Sequence, residues 1–150
     1  MIITLLCQAE PGQVAQLARE IGAGSTVLCA SQPEAVATAQ RVFPDRRVEV
    51  KTLYREPDLG ARFSGFKNLA LLSWMLLPSQ SGEPAEEAKR RVVDTSIRLI
   101  EQAKLHQEAV LVGGPVLLRL VAFKLNSIGY TGAFMSSFKA GERRSYAYHV

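Results

Sequence analysis

The side chains that could do chemistry in this chain are two cysteines and a few carboxylates near the ends of apolar runs. Cys7 and Cys29 each follow a short apolar segment. A cysteine phosphatase needs an arginine six residues after its thiolate, in a loop that binds phosphate. The residues at that offset are Gln13 and Ala35. Neither thiol fits that reaction, and we expect two buried structural cysteines, with a redox or metal role as the open alternative.

The glycine pair Gly113-Gly114 is a second feature with chemical meaning. It follows the apolar run 109–112 and precedes a helical segment that begins at Pro115. The N-terminus of a helix presents backbone N–H groups that attract anions, but proline has no N–H and removes one donor. The pattern predicts a weak anion site.

Histidine and metal chemistry have little support in the sequence. His106 and His149 are the two histidines, and no cluster of potential ligands accompanies either one. We expect both on the surface, and the sequence predicts neither a metal site nor a cofactor.

Strand-like and helix-like segments alternate along the chain, and they must position these residues. Strands are predicted at 2–6, 26–29, 48–50 and 109–112, and a final pair at 134–138 and 145–148. Helices are predicted at 14–21, 33–43 and 66–77, from Pro84 onward, and from Pro115 to Gly129. The helix from Pro84 has an apolar stripe of Val93, Ile97, Ile100 and Ala103, with Val92, Ser96 and Leu99 alongside it. The alternation predicts one α/β domain, 1–150, with a mostly parallel sheet covered by helices on both faces.

Charge and hydropathy limit the classes of partner. The net charge is +4, with basic clusters at 46–47, 89–91 and 143–144. Carboxylates lie beside two of these clusters and no nucleic-acid-binding motif accompanies them, so we expect solvated faces and no nucleic-acid partner. The apolar stretch 69–77 is far shorter than the roughly 20 residues of a membrane span. No secretory leader is recognisable, so we expect a cytoplasmic protein with reduced cysteines and no membrane partner.

Five segments, in order, resemble the histidine phosphatase (phosphoglycerate mutase-like) superfamily. Cys7-Gln8-Ala9-Glu10 stands where that family has Arg-His-Gly-Glu, and 27–39 resembles its strand and helix with a closing Thr-Ala. The segments 53–60 and 82–90 resemble its Leu-x-x-Glu-x-x-x-Gly loop and its Gly-Glu-Ser helix start. The run 109–119 resembles its apolar strand, Ser-His-Gly-Gly turn and arginine-bearing helix. The resemblance implies a three-layer, phosphoglycerate mutase-like α/β fold.

The resemblance also implies a set of catalytic positions. In the family, one histidine attacks phosphorus, a second histidine and two arginines hold the phosphoryl oxygens, and a carboxyl group protonates the leaving group. At the matching positions, this chain has Gln8 in place of the nucleophilic histidine and Gly114 in place of the second histidine. Cys7 and Glu34 stand in place of the two arginines, and Glu56 matches the acid. Only the acid is retained.

These substitutions should abolish the reaction. A carboxamide at Gln8 cannot attack phosphorus. Glu34 reverses a charge, and a unit charge about 4 Å away is worth about 4 kcal/mol at an effective dielectric of about 20. The altered pocket is expected to repel phosphate.

The leading hypothesis is therefore a degenerate histidine-phosphatase-like domain without phosphatase activity, a regulatory module that binds an unknown protein or small-molecule ligand. The alternative is a phosphatase with weak or altered phosphoryl-transfer chemistry around Glu56. For Glu56 itself, the sequence allows either a contact to a polar ligand or a loop carboxylate kept for hydrogen bonding. A third hypothesis is a homo-oligomer formed through the apolar helix that carries Trp74 and Met75.

Overall fold

A five-stranded sheet organises the chain in the computed structural model, which describes residues 1–10, 26–58, 85–134 and 136–148. The strands are β1 (Ile2–Cys7), β2 (Val27–Ala30), β3 (Val48–Lys51), β4 (Glu108–Gly113) and β5 (Arg143–Ala147). The described helices are α1 (Pro33–Val42), a short 3-10 helix (Thr52–Tyr54), α2 (Ala85–His106) and α3 (Pro115–Ser127). The helices predicted at 14–21 and 66–77, with Trp74 and Met75, lie outside the described residues, as do Gly82-Glu83-Pro84 and His149.

The strands follow the order β3-β2-β4-β1-β5. The first four are parallel, and only β5 is antiparallel to its neighbour β1. The chain moves outward from β2 to β3 and then back past β2 to β4. Because parallel crossovers are right-handed, these opposite movements place α1 and α2 on opposite faces of the sheet. Helix α3 packs against α2, so the three-layer, mostly parallel α/β fold predicted from the sequence is confirmed.

The central strands are the core of the domain. The side chains of 3–7, 27–30 and 109–113 are buried without alternation, the pattern expected of parallel strands covered on both faces. The parallel strands β1, β2 and β4 end at one edge of the sheet, where Cys7 pairs with Gly113 and Cys29 with Val112. This carboxyl edge is where open α/β sheets place their ligands.

The buried face of α2 differs from the predicted stripe. Val93 is 37% exposed and Ile97 is 50% exposed, so these two assignments were wrong, while Ala103 is buried as predicted. The helix instead buries Ala88, Arg91, Val92, Thr95, Ser96, Leu99, Gln102 and Ala103. Val92, Ser96 and Leu99, which were expected alongside the stripe, lie on this buried face. Hydrophobic periodicity missed its polar members Arg91, Thr95 and Gln102, and Arg91 holds a loop described below.

The prediction of a strand at 134–138 was wrong for the described residues of that segment. The Arg144 guanidinium donates hydrogen bonds to the carbonyl oxygens of Ser136 and Ser137, each at 2.9 Å, where a neighbouring strand would otherwise donate. It also stacks on the Phe138 ring at 4.0 Å and pairs with Glu142 at 2.5 Å. The backbone carbonyls are therefore satisfied by one buried side chain rather than by a ladder.

No helix in the described part of the chain is long and apolar enough to cross a membrane.

Candidate functional site

An open cleft of about 490 Å³ lies at the carboxyl edge of the sheet. Its described lining comes from the end of β1, the β2–α1 connection and the loop that follows the 3-10 helix. The lining residues are Gln8, Ser31, Gln32, Glu34, Arg55 and Glu56. A more apolar groove of about 430 Å³ adjoins the cleft and shares Gln8 and Glu34 with it. Its other described lining residues are Ala9, Glu10, Pro33, Ala37, Arg41 and Ala140.

Gln8 is held by its backbone and by a second carboxamide. Its N–H donates to the carbonyl oxygen of Gly113 at 2.9 Å, which ties the end of β1 to the end of β4. Its side-chain oxygen accepts a hydrogen bond from the Gln32 Nε2 at 3.0 Å. The Gln32 Oε1 in turn accepts from the backbone N–H of Glu56 at 3.2 Å. The Gln32 side chain thus connects Gln8 with Glu56.

A buried hydroxyl fixes the residue that follows Gln8. Thr38, on α1, accepts a hydrogen bond from the N–H of Ala9 at 3.0 Å. Its Oγ1 also lies 2.8 Å from the carbonyl oxygen of Glu34, one helical turn earlier. The threonine therefore anchors the chain after β1 to the same turn of α1 that carries Glu34.

The Glu56 carboxylate sits on the N-terminus of α3. Its Oε2 accepts from the N–H of Val116 at 3.1 Å, and its Oε1 accepts from the N–H of Leu117 at 2.6 Å. The first N–H groups of a helix have no intrahelical acceptor, and a negative charge there also interacts favourably with the helix dipole. Glu56 thus caps a helix that begins about 60 residues later in the chain.

Gly114 provides the room that this carboxylate occupies. A β-carbon built on Gly114 would lie 2.5 Å from the Glu56 Cδ atom, closer than two such atoms can approach. The backbone at Gly114, with φ −81° and ψ 164°, is ordinary extended geometry that any residue adopts. Space, not conformation, therefore requires glycine here. The Glu56 carboxylate thus occupies the space that a side chain at position 114 would need.

Two arginines of α2 hold the segment that carries Glu56. The buried Arg91 donates from Nη1 to the carbonyl oxygens of Arg55 and Leu53, at 2.8 Å and 3.2 Å. Nearby, Tyr54 donates to Glu49 at 2.7 Å, and Arg98 pairs with the same carboxylate at 3.2 Å. Burial raises the pKa of Tyr54, so its hydroxyl remains a donor.

Glu34 is the exposed carboxylate of the cleft. Among the described residues its carboxylate has no hydrogen-bond or ion-pair partner, in contrast to Glu56. Arg55 lines the cleft from the opposite segment, and its Nη1 lies 3.4 Å from the carbonyl oxygen of Thr52. The described lining of the cleft therefore comprises two carboxylates, two carboxamides, a hydroxyl and a guanidinium, and Glu34 is the carboxylate that is exposed.

The cysteines do not meet. The family resemblance implies that the strands of Cys7 and Cys29 are neighbours, and this implication was wrong, because β4 lies between β1 and β2. Two strand spacings separate them by about 9–10 Å. In addition, Cys7 pairs with Gly113 and Cys29 with Val112, and consecutive residues of β4 point to opposite faces. Both cysteines are buried and neither is in a disulfide, and burial raises the pKa of the Cys29 thiol to about 12.

The structure thus brings together three of the residues singled out by sequence. Gln8, Glu34 and Glu56 line the cleft, Gly114 lies beneath the Glu56 carboxylate, and Cys7 is buried below the surface. Sequence reasoning missed Gln32, Thr38 and Arg91. Thr38 belongs to the recognised Thr-Ala pair, but nothing in the residue types marked Gln32 as a bridge or distinguished Arg91 from its basic neighbours.

Other candidate features have structural explanations. His106 is exposed at the end of α2, and the described residues contain no group of three or more potential metal ligands. Arg91 and Arg144, from two of the basic clusters, are buried and bond to backbone carbonyls, and Arg46, from the third, stacks on the Phe43 ring at 5.0 Å.

Neither a protein-family model nor a curated protein sequence matches the chain. Solved structures do. An alpha-ribazole phosphatase from Shigella flexneri is similar with a TM-score of 0.73 and 16% identity, over 97% of this chain and 89% of that chain. A phosphoserine phosphatase mutant from Entamoeba histolytica, solved with phosphoserine, gives 0.72 and 12%, over 96% and 89%. A mycobacterial glucosyl-3-phosphoglycerate phosphatase gives 0.70 and 13%, over 96% and 88%. At these identities the likeness establishes a shared fold.

Proposed function

We propose that this chain, which has the phosphoglycerate mutase-like fold of histidine phosphatases, is a binding domain that does not hydrolyse phosphate esters. The observation that carries the proposal is the position of the Glu56 carboxylate on the N-terminus of α3. Its carboxylate accepts hydrogen bonds from Val116 and Leu117 and fills the space at Gly114. The retained acid is used to cap a helix.

The nucleophile position supports the same conclusion. Gln8 presents a carboxamide oxygen that already accepts from Gln32, and a carboxamide nitrogen that has no basic lone pair. Covalent catalysis on phosphorus requires a nucleophile that can be activated by a base or by a lowered pKa. Neither Gln8 nor a neighbouring side chain of the described lining supplies one.

The charge of the cleft also disfavours a phosphoryl group. Phosphoryl transfer depends on cations that neutralise the equatorial oxygens in the transition state. Here the exposed Glu34 faces the same cleft, and Glu56 adds a second carboxylate. Arg55 also lines the cleft, so a dianion that enters it would meet two negative charges and one positive charge from the described lining.

What the cleft offers instead is a set of hydrogen-bonding groups. The Glu34 carboxylate is an exposed acceptor, the Gln8 and Gln32 carboxamides supply donors and acceptors, and Ser31 adds a hydroxyl. An apolar groove continues from Gln8 and Glu34. This combination suits a small molecule or a peptide segment that carries hydroxyl or ammonium groups beside an apolar part.

A phosphatase assay tests the proposal. Purified wild type and Glu56→Gln are compared for phosphate release from phosphoserine and from p-nitrophenyl phosphate. Glu86→Gln, which changes an exposed carboxylate of α2 away from the cleft, is the matched control for contaminating activity. We expect the same background release from all three proteins. Release that disappears in Glu56→Gln but persists in Glu86→Gln would contradict the proposal and establish the alternative, phosphoryl-transfer chemistry around Glu56.

A further inference from the structure

We infer that Glu56 determines which ligands the cleft accepts. Its carboxylate is an oxyanion of the protein itself, and it occupies the N-terminus of α3, where an oxyanion of a ligand would bind. The inference rests on the proposed binding function of the cleft. It assigns to Glu56 a role in specificity rather than in catalysis.

The first step is the match between a carboxylate and the first turn of α3. Two successive N–H groups, of Val116 and Leu117, point at the two Glu56 oxygens. Charge-assisted hydrogen bonds of this kind are about twice as strong as neutral ones. The same two donors would otherwise be available to a phosphate, sulfate or carboxylate group, since backbone N–H groups at a helix start bind these anions alike.

The second step is that the anion position is enclosed. Gly114 is buried, and the Glu56 carboxylate fills the volume that a side chain at this position would take. An incoming oxyanion must therefore displace Glu56 rather than bind beside it. Displacement would leave the carboxylate close to the new anion, so both the lost hydrogen bonds and the repulsion oppose entry.

The third step is that Glu56 is held in place from behind. Its N–H donates to Gln32, and the carbonyl of the preceding residue, Arg55, accepts from the buried Arg91. These contacts fix the two opposite edges of the peptide group that joins Arg55 to Glu56, so the Glu56 side chain starts from a defined point. A carboxylate held this way competes with a free anion at a high effective concentration.

The structure therefore assigns the cleft to ligands that carry no phosphate, sulfate or carboxylate at the α3 terminus. Removal of the Glu56 carboxylate should expose the two N–H groups and turn the same cleft into an anion site. Removal of the Glu34 carboxylate should not, because Glu34 is not bonded to α3. The two residues offer a matched pair of substitutions within one cleft.

The test is a titration with inorganic phosphate, followed by the amide resonances of Val116 and Leu117, at an ionic strength held constant with sodium chloride. The proteins are wild type, Glu56→Ala, Glu56→Gln and Glu34→Ala. We expect saturable shifts of both amides in Glu56→Ala, with affinity at least about tenfold above that of wild type and of Glu34→Ala. Glu56→Gln, which keeps the length of the side chain but loses its charge, should fall between them.

Three results would overturn the inference. One is wild-type affinity for phosphate equal to that of Glu56→Ala, and another is the absence of any gain in both Glu56 variants. The third is an equal gain in Glu34→Ala, which would show that general charge removal is responsible. Because Glu56→Gln retains the bulk of the side chain, it decides the matter if Glu56→Ala does not fold. A different result would contradict the proposed function, namely Glu56-dependent hydrolysis of a phosphate ester by the wild type. Failure of the inference and failure of the proposed function are therefore distinguishable.

Discussion

Arg91 donates a hydrogen bond from Nη1 to the carbonyl oxygen of Arg55 at 2.8 Å. This contact joins the buried face of α2 to the backbone immediately before Glu56, across 36 residues of chain. The position of the carboxylate on α3 therefore depends on a cation in α2. Arg91, Arg55 and Glu56 thus form a three-residue path of contacts from α2 to α3.

We predict that Arg91→Met destabilises the fold by about 3 kcal/mol. Methionine preserves most of the buried volume, but the carbonyl oxygens of Leu53 and Arg55 lose this donor, at about 1–3 kcal/mol for each buried polar group left unpaired. Urea unfolding followed by circular dichroism measures the loss. The matched control is Arg90→Met, because Arg90 is the exposed neighbour and should change stability by no more than about 0.5 kcal/mol. Equal effects at the two positions would refute the role of Arg91.

The sign of the Gly114→Ala effect should depend on Glu56. In the wild type the new β-carbon meets the carboxylate and should cost about 2 kcal/mol, the scale of a lost helix cap. In Glu56→Ala that obstacle is gone, and the extended backbone at Gly114 suits alanine. Glycine-to-alanine replacement then stabilises by about 0.5 kcal/mol through the unfolded chain.

A double-mutant cycle in urea measures this coupling. Gly113→Ala is the control, because a β-carbon there would lie at an ordinary distance, 3.5 Å, from the nearest atom of Leu117. Its effect should be the same with and without Glu56. A Gly114→Ala effect that is independent of Glu56 would show that the carboxylate does not occupy this space.

Cys29 should make the fold less stable at alkaline pH. Burial raises the pKa of its thiol from 9.0 to about 12, so between these values the unfolded chain loses a proton that the folded chain keeps. The Cys29 thiol therefore does not change the free energy of unfolding well below pH 9, and it lowers that free energy as the pH rises above 9. Relative to Cys29→Ala, the stability of the wild type should fall by about 1.4 kcal/mol between pH 8 and pH 10. The buried tyrosines titrate in both proteins, so their contribution cancels. A difference between the two proteins that stays constant over this range would show that the thiol ionises freely in the fold.

The strands and the class of fold were predictable because continuous apolar runs allow few interpretations. The runs predicted at 2–6, 26–29 and 109–112 became β1, β2 and β4 with shifts of one residue at their ends. The buried face of α2 was predictable only in part from hydropathy, since Arg91 is buried through hydrogen bonds to carbonyl oxygens rather than through apolar character.

The candidate site was predictable only as a set of positions. Resemblance to a family placed Gln8, Glu34, Glu56 and Gly114 in one region, and it raised hydrogen bonding as one role for Glu56. Sequence could not show which groups would donate those hydrogen bonds to Glu56, because the donors are some 60 residues away. Nor could it show that Glu56 would fill the room at Gly114, because that fit depends on a distance of a few ångströms. The bridge made by Gln32 is equally invisible, since glutamine at the start of a helix is ordinary.

The central claim is that the Glu56 carboxylate is bound to the N-terminus of α3. Amide hydrogen exchange at the first turn of α3 is the most direct test of this claim. The N–H groups of Val116 and Leu117 have Glu56 as their acceptor, whereas Leu118 donates to the carbonyl oxygen of Gly114 at 3.1 Å and serves as an internal control. We predict slow exchange at all three amides in the wild type. In Glu56→Ala, exchange should accelerate by at least about tenfold at Val116 and Leu117 alone. Rapid exchange of these two amides in the wild type, or protection that survives the loss of Glu56, would contradict the claim.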